Sequence, residues 1–212
     1  MDKKEILRLS NMSRYEWGEV IKDHHKIIPI EERLTIYKEV ISVLRRFNLN
    51  IYTTGGTLLG IIRDNNLIPW DDDIDMDMMY EEFVPNMYKI KNVLVENGYI
   101  VRLIETKEFP KMSFYKRGQK ISICALTKKG KWRMRPSYRY KNKHFTNSKH
   151  ITFNNMELLV PNPPEEYLSW VYGDWKKVIK SDIEAEYMNV KHFRIPSLIN
   201  RIFRKLKRNI AT

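Results

Sequence analysis

The stretch Gly55-Gly56-Thr57-Leu58-Leu59-Gly60, followed after Arg63 by Ile68-Pro69-Trp70-Asp71-Asp72-Asp73-Ile74-Asp75-Met76-Asp77-Met78-Met79, decides the fold. From Asp73 to Met79 acidic and apolar residues alternate with a period of two, the repeat of a β-strand. Asp73, Asp75 and Asp77 therefore share one face, and Ile74, Met76 and Met78 the other. Upstream, Leu49 to Thr54 is short and β-prone and runs into Gly55-Gly56, where a sharp turn meets no Cβ. Thr57 is expected to cap a helical turn through Leu58 to Arg63. A strand, a glycine turn and a helix start present outward-pointing N–H groups, which suits a phosphate. Five aspartates between Asp71 and Asp77 repel one another unless a hard cation such as Mg²⁺ or Mn²⁺ lies among them.

Outward from this stretch, Asp2 to Ile30 predicts an N-terminal helix and a connector that ends at Pro29. Leu34, Tyr37, Val40, Ile41, Leu44 and Phe47 recur at three- and four-residue spacing and predict an amphipathic helix over 31–47. Phe83, Met87, Ile90 and Leu94 predict another over 81–97, stopped by Gly98. Residues 99–105, 111–115 and 120–126 read as strands, and 165–171 as a helix opened by Pro161-Asn162-Pro163-Pro164 and closed by Gly173. Residues 128–150 are basic and aromatic without a clear period and read as a long functional loop. The fold class is α/β, a mixed sheet flanked by helices, with a helical N-terminal extension and a basic C-terminal one.

At 212 residues with 42% hydrophobic and 12% aromatic content, the chain can bury the core of one catalytic-sized domain. Its net charge of +12 is segregated. Phe109 to Met156 holds thirteen Lys/Arg and no acid, and Val190 to Thr212 holds seven more and no acid, leaving 18 basic against 26 acidic residues elsewhere. An acidic centre thus faces basic arms. Cys124 is the single cysteine, which excludes a disulfide framework and points to a reducing compartment. Neither an export signal nor a membrane span is expected, so the cytoplasm is the predicted location.

Two literal motif matches fail on context. Asp71-Asp72-Asp73-Ile74-Asp75 spells the aspartate pattern of prenyl synthases, which belongs within a long helix that Pro69 and the period-two alternation oppose. An EF-hand register from Asp71 places Met76 where the turn needs glycine. The chemistry that remains is metal-assisted phosphoryl or nucleotidyl transfer.

Gly55 to Gly60, Arg63 and Ile68 to Asp75 resemble the signature of the LicD family of phosphotransferases, which includes bacterial phosphocholine transferases and the fukutin-related proteins. The helix over 31–47, Phe109-Pro110-Lys111, Met156 to Pro161, Tyr167-Leu168 and Tyr172-Gly173-Asp174-Trp175 are similar to further blocks in the family's order, so the resemblance covers about Glu31 to Lys180. It implies a nucleotidyltransferase-like domain over 31–185, between an N-terminal extension over 1–30 and a basic amphipathic tail over 186–212. The implied reaction moves a phospho-alcohol, such as phosphocholine or ribitol phosphate, from a CDP-linked donor to a hydroxyl of a glycan or glycolipid and releases CMP, as in lipopolysaccharide or capsule biosynthesis.

In that reading Asp73 and Asp75 hold Mg²⁺ or Mn²⁺ and, with Arg63, form the catalytic set. Gly55, Gly56 and Thr57 take the donor phosphates or form only a tight strand-to-helix turn, and Arg63 either clamps those phosphates or pairs with Asp71 or Asp72 at the surface. Trp70 either stacks on the cytosine or acceptor sugar or plugs the core, and Lys111 either meets a phosphate or stays a solvated strand lysine. The family usually carries a later Asp-Ile-Phe strand, and Ser122 stands in the place of that aspartate. Asp77, where the family often has a small residue, is expected to supply the missing carboxylate as a third metal ligand; an altered active site is the alternative.

Two other functions stay open: a nucleotidyltransferase using an NTP donor and releasing pyrophosphate, or a catalytically silent module binding anionic glycan or nucleic acid. The basic, aromatic run Lys131 to Lys141 suits a nucleotide-linked donor or anionic glycan, and its closeness to the predicted site strands favours these over nucleic acid. In the tail, Leu198, Ile199, Ile202, Phe203 and Leu206 share a helical face opposite Arg201, Arg204, Lys205, Lys207 and Arg208. That profile fits either peripheral contact with an anionic membrane carrying a lipid-linked acceptor or docking on the protein core.

Overall fold

The computed structural model describes residues 1–12, 16–18, 24–181 and 184–192. Helix α1 (Lys3–Ser10) is capped by the Asp2 side chain, which accepts from the Glu5 N–H. Pro29 starts α2 (Ile30–Leu44), and its carbonyl accepts from the N–H groups of Glu32 and Arg33. The buried stripe of α2 is Arg33, Ile36, Tyr37, Val40, Val43 and Leu44, so an arginine belongs to the inward face of a helix whose inward face is otherwise apolar. A 3₁₀ turn over Arg45–Phe47 ends at Asn48, whose φ of 50° closes it.

Strand β1 (Ile51–Thr53) leads into α3 (Gly55–Asp64), which returns through Asn65 to β2 (Asp73–Met79). After β2 come α4 (Tyr80–Glu96), β3 (Ile100–Ile104), β4 (Lys111–Lys116) and β5 (Gln119–Lys129). The predicted acid strand and the three strands after it are thus present at their expected positions. Where a long loop is expected over 128–150, the chain instead forms a hairpin of β6 (Trp132–Arg135) and β7 (Tyr138–Lys141), a short helix α5 (Lys143–Thr146) and strand β8 (Lys149–Phe153). Its alternation was masked because every second residue is basic: Tyr138 and Tyr140 are buried while Arg139 and Lys141 alternate with them. Arg133 is held by the Asn142 side chain, the Leu126 carbonyl and Glu81, so its charge does not require open water. Strand β9 (Met156–Val160), helix α6 (Pro164–Tyr172) and the short α7 (Glu184–Tyr187) follow.

The main sheet runs β3-β4-β5-β2-β1-β9-β8, with β6 and β7 attached to the far end of β5. It is mixed, because β2 pairs with β5 and β1 with β9 in parallel while the other pairs are antiparallel. Helix α4 packs across β2, β3 and β5 with α1 and α2 beside it, and α3 packs on β2 and α6. As a central strand covered on both sides, β2 buries Asp77 completely along with Ile74, Met76 and Met78. No helix among the described residues is long and apolar enough to cross a membrane. The tail helix expected over 198–208 lies outside the described residues.

Candidate active site

The turn from β1 into α3 is tied to the middle of β2, since the Thr54 N–H donates to the Asp75 carbonyl (3.2 Å). Gly55 takes a φ of 57°, which L side chains rarely adopt. Space requires glycine as well: a Cβ on Gly55 would lie 2.1 Å from Asp75 Oδ2, and one on Gly56 2.2 Å from Asp71 Oδ2. The double glycine therefore lets two carboxylates lie directly against a helix start. The Gly56 N–H donates to Asp75 Oδ2 (3.2 Å), and the Asp75 N–H donates to Thr57 Oγ1 (2.9 Å). Thr57 does not cap α3, because the helix already begins at Gly55 and Thr54 occupies the cap position. Its hydroxyl instead locks the helix to the acid strand.

The loop that carries Asp71 and Asp72 is held from beneath by Arg33. This buried guanidinium donates to the carbonyls of Ile68 (2.9 Å) and Asp73 (3.3 Å) and to the Gln119 amide oxygen (3.1 Å). Gln119 in turn donates to the carbonyls of Asp72 (3.1 Å) and Lys120 (2.7 Å). Lys120 Nζ lies 2.7 Å from Asp73 Oδ2, and His25 Nε2 lies 3.2 Å from Asp72 Oδ2. Two carboxyls that face the recess remain poorly compensated. Burial, and then the charges of Asp73 and Asp75, push Asp71 up to about 8; burial, and then Asp73, push Asp75 up to about 6. Oxygens of Asp71, Asp72 and Asp73 lie within 4.8 Å of one another. Closely spaced hard oxygen donors whose charge is costly to bury fit a divalent cation of the Mg²⁺ or Mn²⁺ class.

These groups wall a recess of about 550 Å³. Gly55, Gly56, Arg63, Trp70, Asp73, Asp75 and Lys111 line it, together with Asp71 and Asp72. Thr57 and Asp77 do not line it; both are buried behind the wall. Arg63 forms a two-point bond with Asp64 (2.9 and 2.8 Å), so its charge is steadied by its chain neighbour and not by Asp71 or Asp72. Trp70 packs partly on the core and has Lys180 Nζ 5.8 Å from its ring. Residues outside the predicted set also line the recess: Lys120, Arg135, Tyr140, Tyr172, Asp174 and Lys177. Arg33 lies under it. The stripe expected through Leu34, Tyr37, Val40 and Ile41 leaves out Arg33, which the buried face includes with Ile36; for Arg135 the available signal was the alternation of Trp132-Arg133-Met134-Arg135. No local signal marks Lys120, which reaches the site only through the β2–β5 pairing.

The family described as LicD/FKTN/FKRP, nucleotidyltransferase domain, matches residues 48–163, more than half of the chain. An uncharacterised protein of Rickettsia prowazekii is 23% identical over 185 residues, covering 81% of this chain and 68% of that protein. The lipopolysaccharide cholinephosphotransferase LicD of Haemophilus influenzae is 43% identical over 42 residues, covering 20% of this chain and 16% of that enzyme. A solved structure, ANT(2")-Ia in complex with adenylyl-2"-tobramycin, aligns with a TM-score of 0.46 and 11% identity over 66% of this chain and 73% of that one.

Proposed function

The chain belongs to the LicD/FKTN/FKRP nucleotidyltransferase-domain family, and on that premise we propose that it transfers a phospho-alcohol from a CDP-linked donor to a hydroxyl of a glycan or glycolipid. The observation that carries this reading is the recess in which Asp71, Asp73 and Asp75 share a wall with the cationic Arg63, Lys111 and Arg135. Carboxylates alone would repel a nucleoside diphosphate, and cations alone would not hold a metal; together they fit a metal-bound diphosphate.

Asp73 and Asp75 would hold the cation, together with Asp71, whose carboxylate converges with those of Asp72 and Asp73. Bound there, Mg²⁺ or Mn²⁺ supplies charge neutralisation at the donor phosphates. Arg63 and Lys111 bind the outer phosphate oxygens, and the Gly55-Gly56 turn lets the Asp75 and Asp71 carboxylates lie against the start of α3 at the edge of the recess. Trp70 offers a ring face to the cytosine or the acceptor sugar. In the balanced step, the acceptor oxygen forms a bond to the phosphorus that bears the alcohol, the bond from that phosphorus to the bridging oxygen breaks, and CMP leaves with that oxygen. The acceptor proton passes to solvent or a recess carboxylate.

The test is incubation with CDP-choline, CDP-ribitol, CDP-glycerol and NTPs in the presence of Mg²⁺ and a carbohydrate acceptor, with Asp73→Asn/Asp75→Asn as control. Metal-dependent CMP release, absent in the double variant, is the expected result. Pyrophosphate from an NTP would replace this reading with nucleotidyl transfer, and metal-independent glycan binding without turnover would replace it with a binding module.

A further inference from the structure

Asp77 is the member of the acid alternation that the recess does not use. It is fully buried in the central strand, level with Tyr52 on β1 and Cys124 on β5, and the Thr54 hydroxyl and the Arg135 guanidinium are the side-chain donors beside its carboxylate. A desolvated carboxylate in that setting needs a nearby cation. Arg135 supplies it: Nη1 lies 3.6 Å from Asp77 Oδ1, while the Arg135 side chain keeps 24% of its surface exposed and lines the recess. Lys111, paired with Cys124 from the other side in the β4–β5 register, lines the same wall. Ser122, where the family aspartate is missing, is level with Asp75. Asp77 lies two residues further along β2, about 6.6 Å at the rise of a strand, and so does not reach that place.

We infer that Asp77 is a positioning residue that orients Arg135, and that Arg135 with Lys111 binds the diphosphate of the donor. This deepens the proposed transfer reaction and rests on an anionic donor entering the recess. The third aspartate of the alternation then acts through an arginine from a hairpin 58 residues away, not on the metal. A guanidinium with one edge steadied by a buried carboxylate is preorganised for phosphate oxygens, because less of its rotamer freedom is lost on binding.

Two titrations on the full chain test it: Mn²⁺ alone followed by electron paramagnetic resonance, and CDP at saturating Mg²⁺ followed by calorimetry. Arg135→Gln is expected to weaken CDP about tenfold, equivalent to about 1.4 kcal/mol, and Asp77→Asn to weaken it in the same direction. Mn²⁺ affinity should stay within about twofold in both. Asp77→Asn added to Arg135→Gln should bring no further loss, a result that a merely structural role would not produce. A tenfold loss of Mn²⁺ affinity in Asp77→Asn, or unchanged CDP affinity in Arg135→Gln, overturns the inference. If Arg135→Gln does not fold, Arg135→Lys decides: the charge is kept but the fork is lost, so CDP must still weaken. CDP binding that depends on this pair without turnover of any CDP-alcohol would leave the pair standing and refute the transfer reading.

Discussion

Replacing Asp75 by asparagine in chelated, metal-free protein should stabilise the fold, and the gain should grow with pH. Burial and the Asp73 charge raise the Asp75 pKa from 3.8 to about 6. Below about pH 3.8 the carboxyl is protonated in both folded and unfolded chains, and its ionisation costs nothing. Between about 4 and 6 the unfolded chain releases the proton while the fold retains it, so stability falls as pH rises. Above about 6 the full cost is present, and at about 1.4 kcal/mol per pH unit it is ~3 kcal/mol. Asparagine avoids that cost, and its amide oxygen can still accept from the Gly56 N–H that now meets Asp75 Oδ2. Urea unfolding of parent and variant in chelator, at steps from pH 4 to 8, should show a difference rising to a plateau. A difference that is flat, or that shrinks with pH, would refute the claim that the carboxylate is strained by desolvation. With saturating Mg²⁺ the order should reverse, because the parent gains binding energy that the variant has lost.

Three other outcomes follow from the same geometry. Gly55→Ala should destabilise by about 1–2 kcal/mol from its left-handed backbone alone and also displace Asp75, whereas Gly56→Ala should shift Asp71 without the backbone term. Denaturant midpoints and Mn²⁺ affinity of the two variants separate these effects. Arg33→Leu leaves the buried carbonyls of Ile68 and Asp73 without that donor, so a loss on the order of 3 kcal/mol is expected by urea unfolding. Thermal melts should show that Mg²⁺ at about 100 times its dissociation constant adds ~2.7 kcal/mol, or about 5–10 °C in a chain of this size, and that chelator removes the gain.

The acid strand, the glycine turn and the helices on either side were legible because each depends on short-range chemistry. Alternation over Asp73–Met79, the Gly55-Gly56 pair and the stripe on α2 are visible within a few residues of chain. The β6–β7 hairpin was not, because basic residues at alternate positions look like a solvated loop until their partners are known. Thr57 was placed at a cap that its position inside α3 excludes, and its actual acceptor role toward the Asp75 N–H depends on a contact 18 residues away.

By itself, then, the sequence determined that an acidic strand follows a glycine turn in an α/β chain, since period and adjacency are covalent facts. Only the tertiary structure decided which aspartates face the recess and which is buried behind it, because desolvation depends on what packs over a strand. It also decided which cations answer them: Arg33 from α2, Lys120 from β5 and Arg135 from β6 converge on β2 from positions 40 to 58 residues away. Charge compensation in a buried site acts through space, so its partners follow sheet pairing and not chain order.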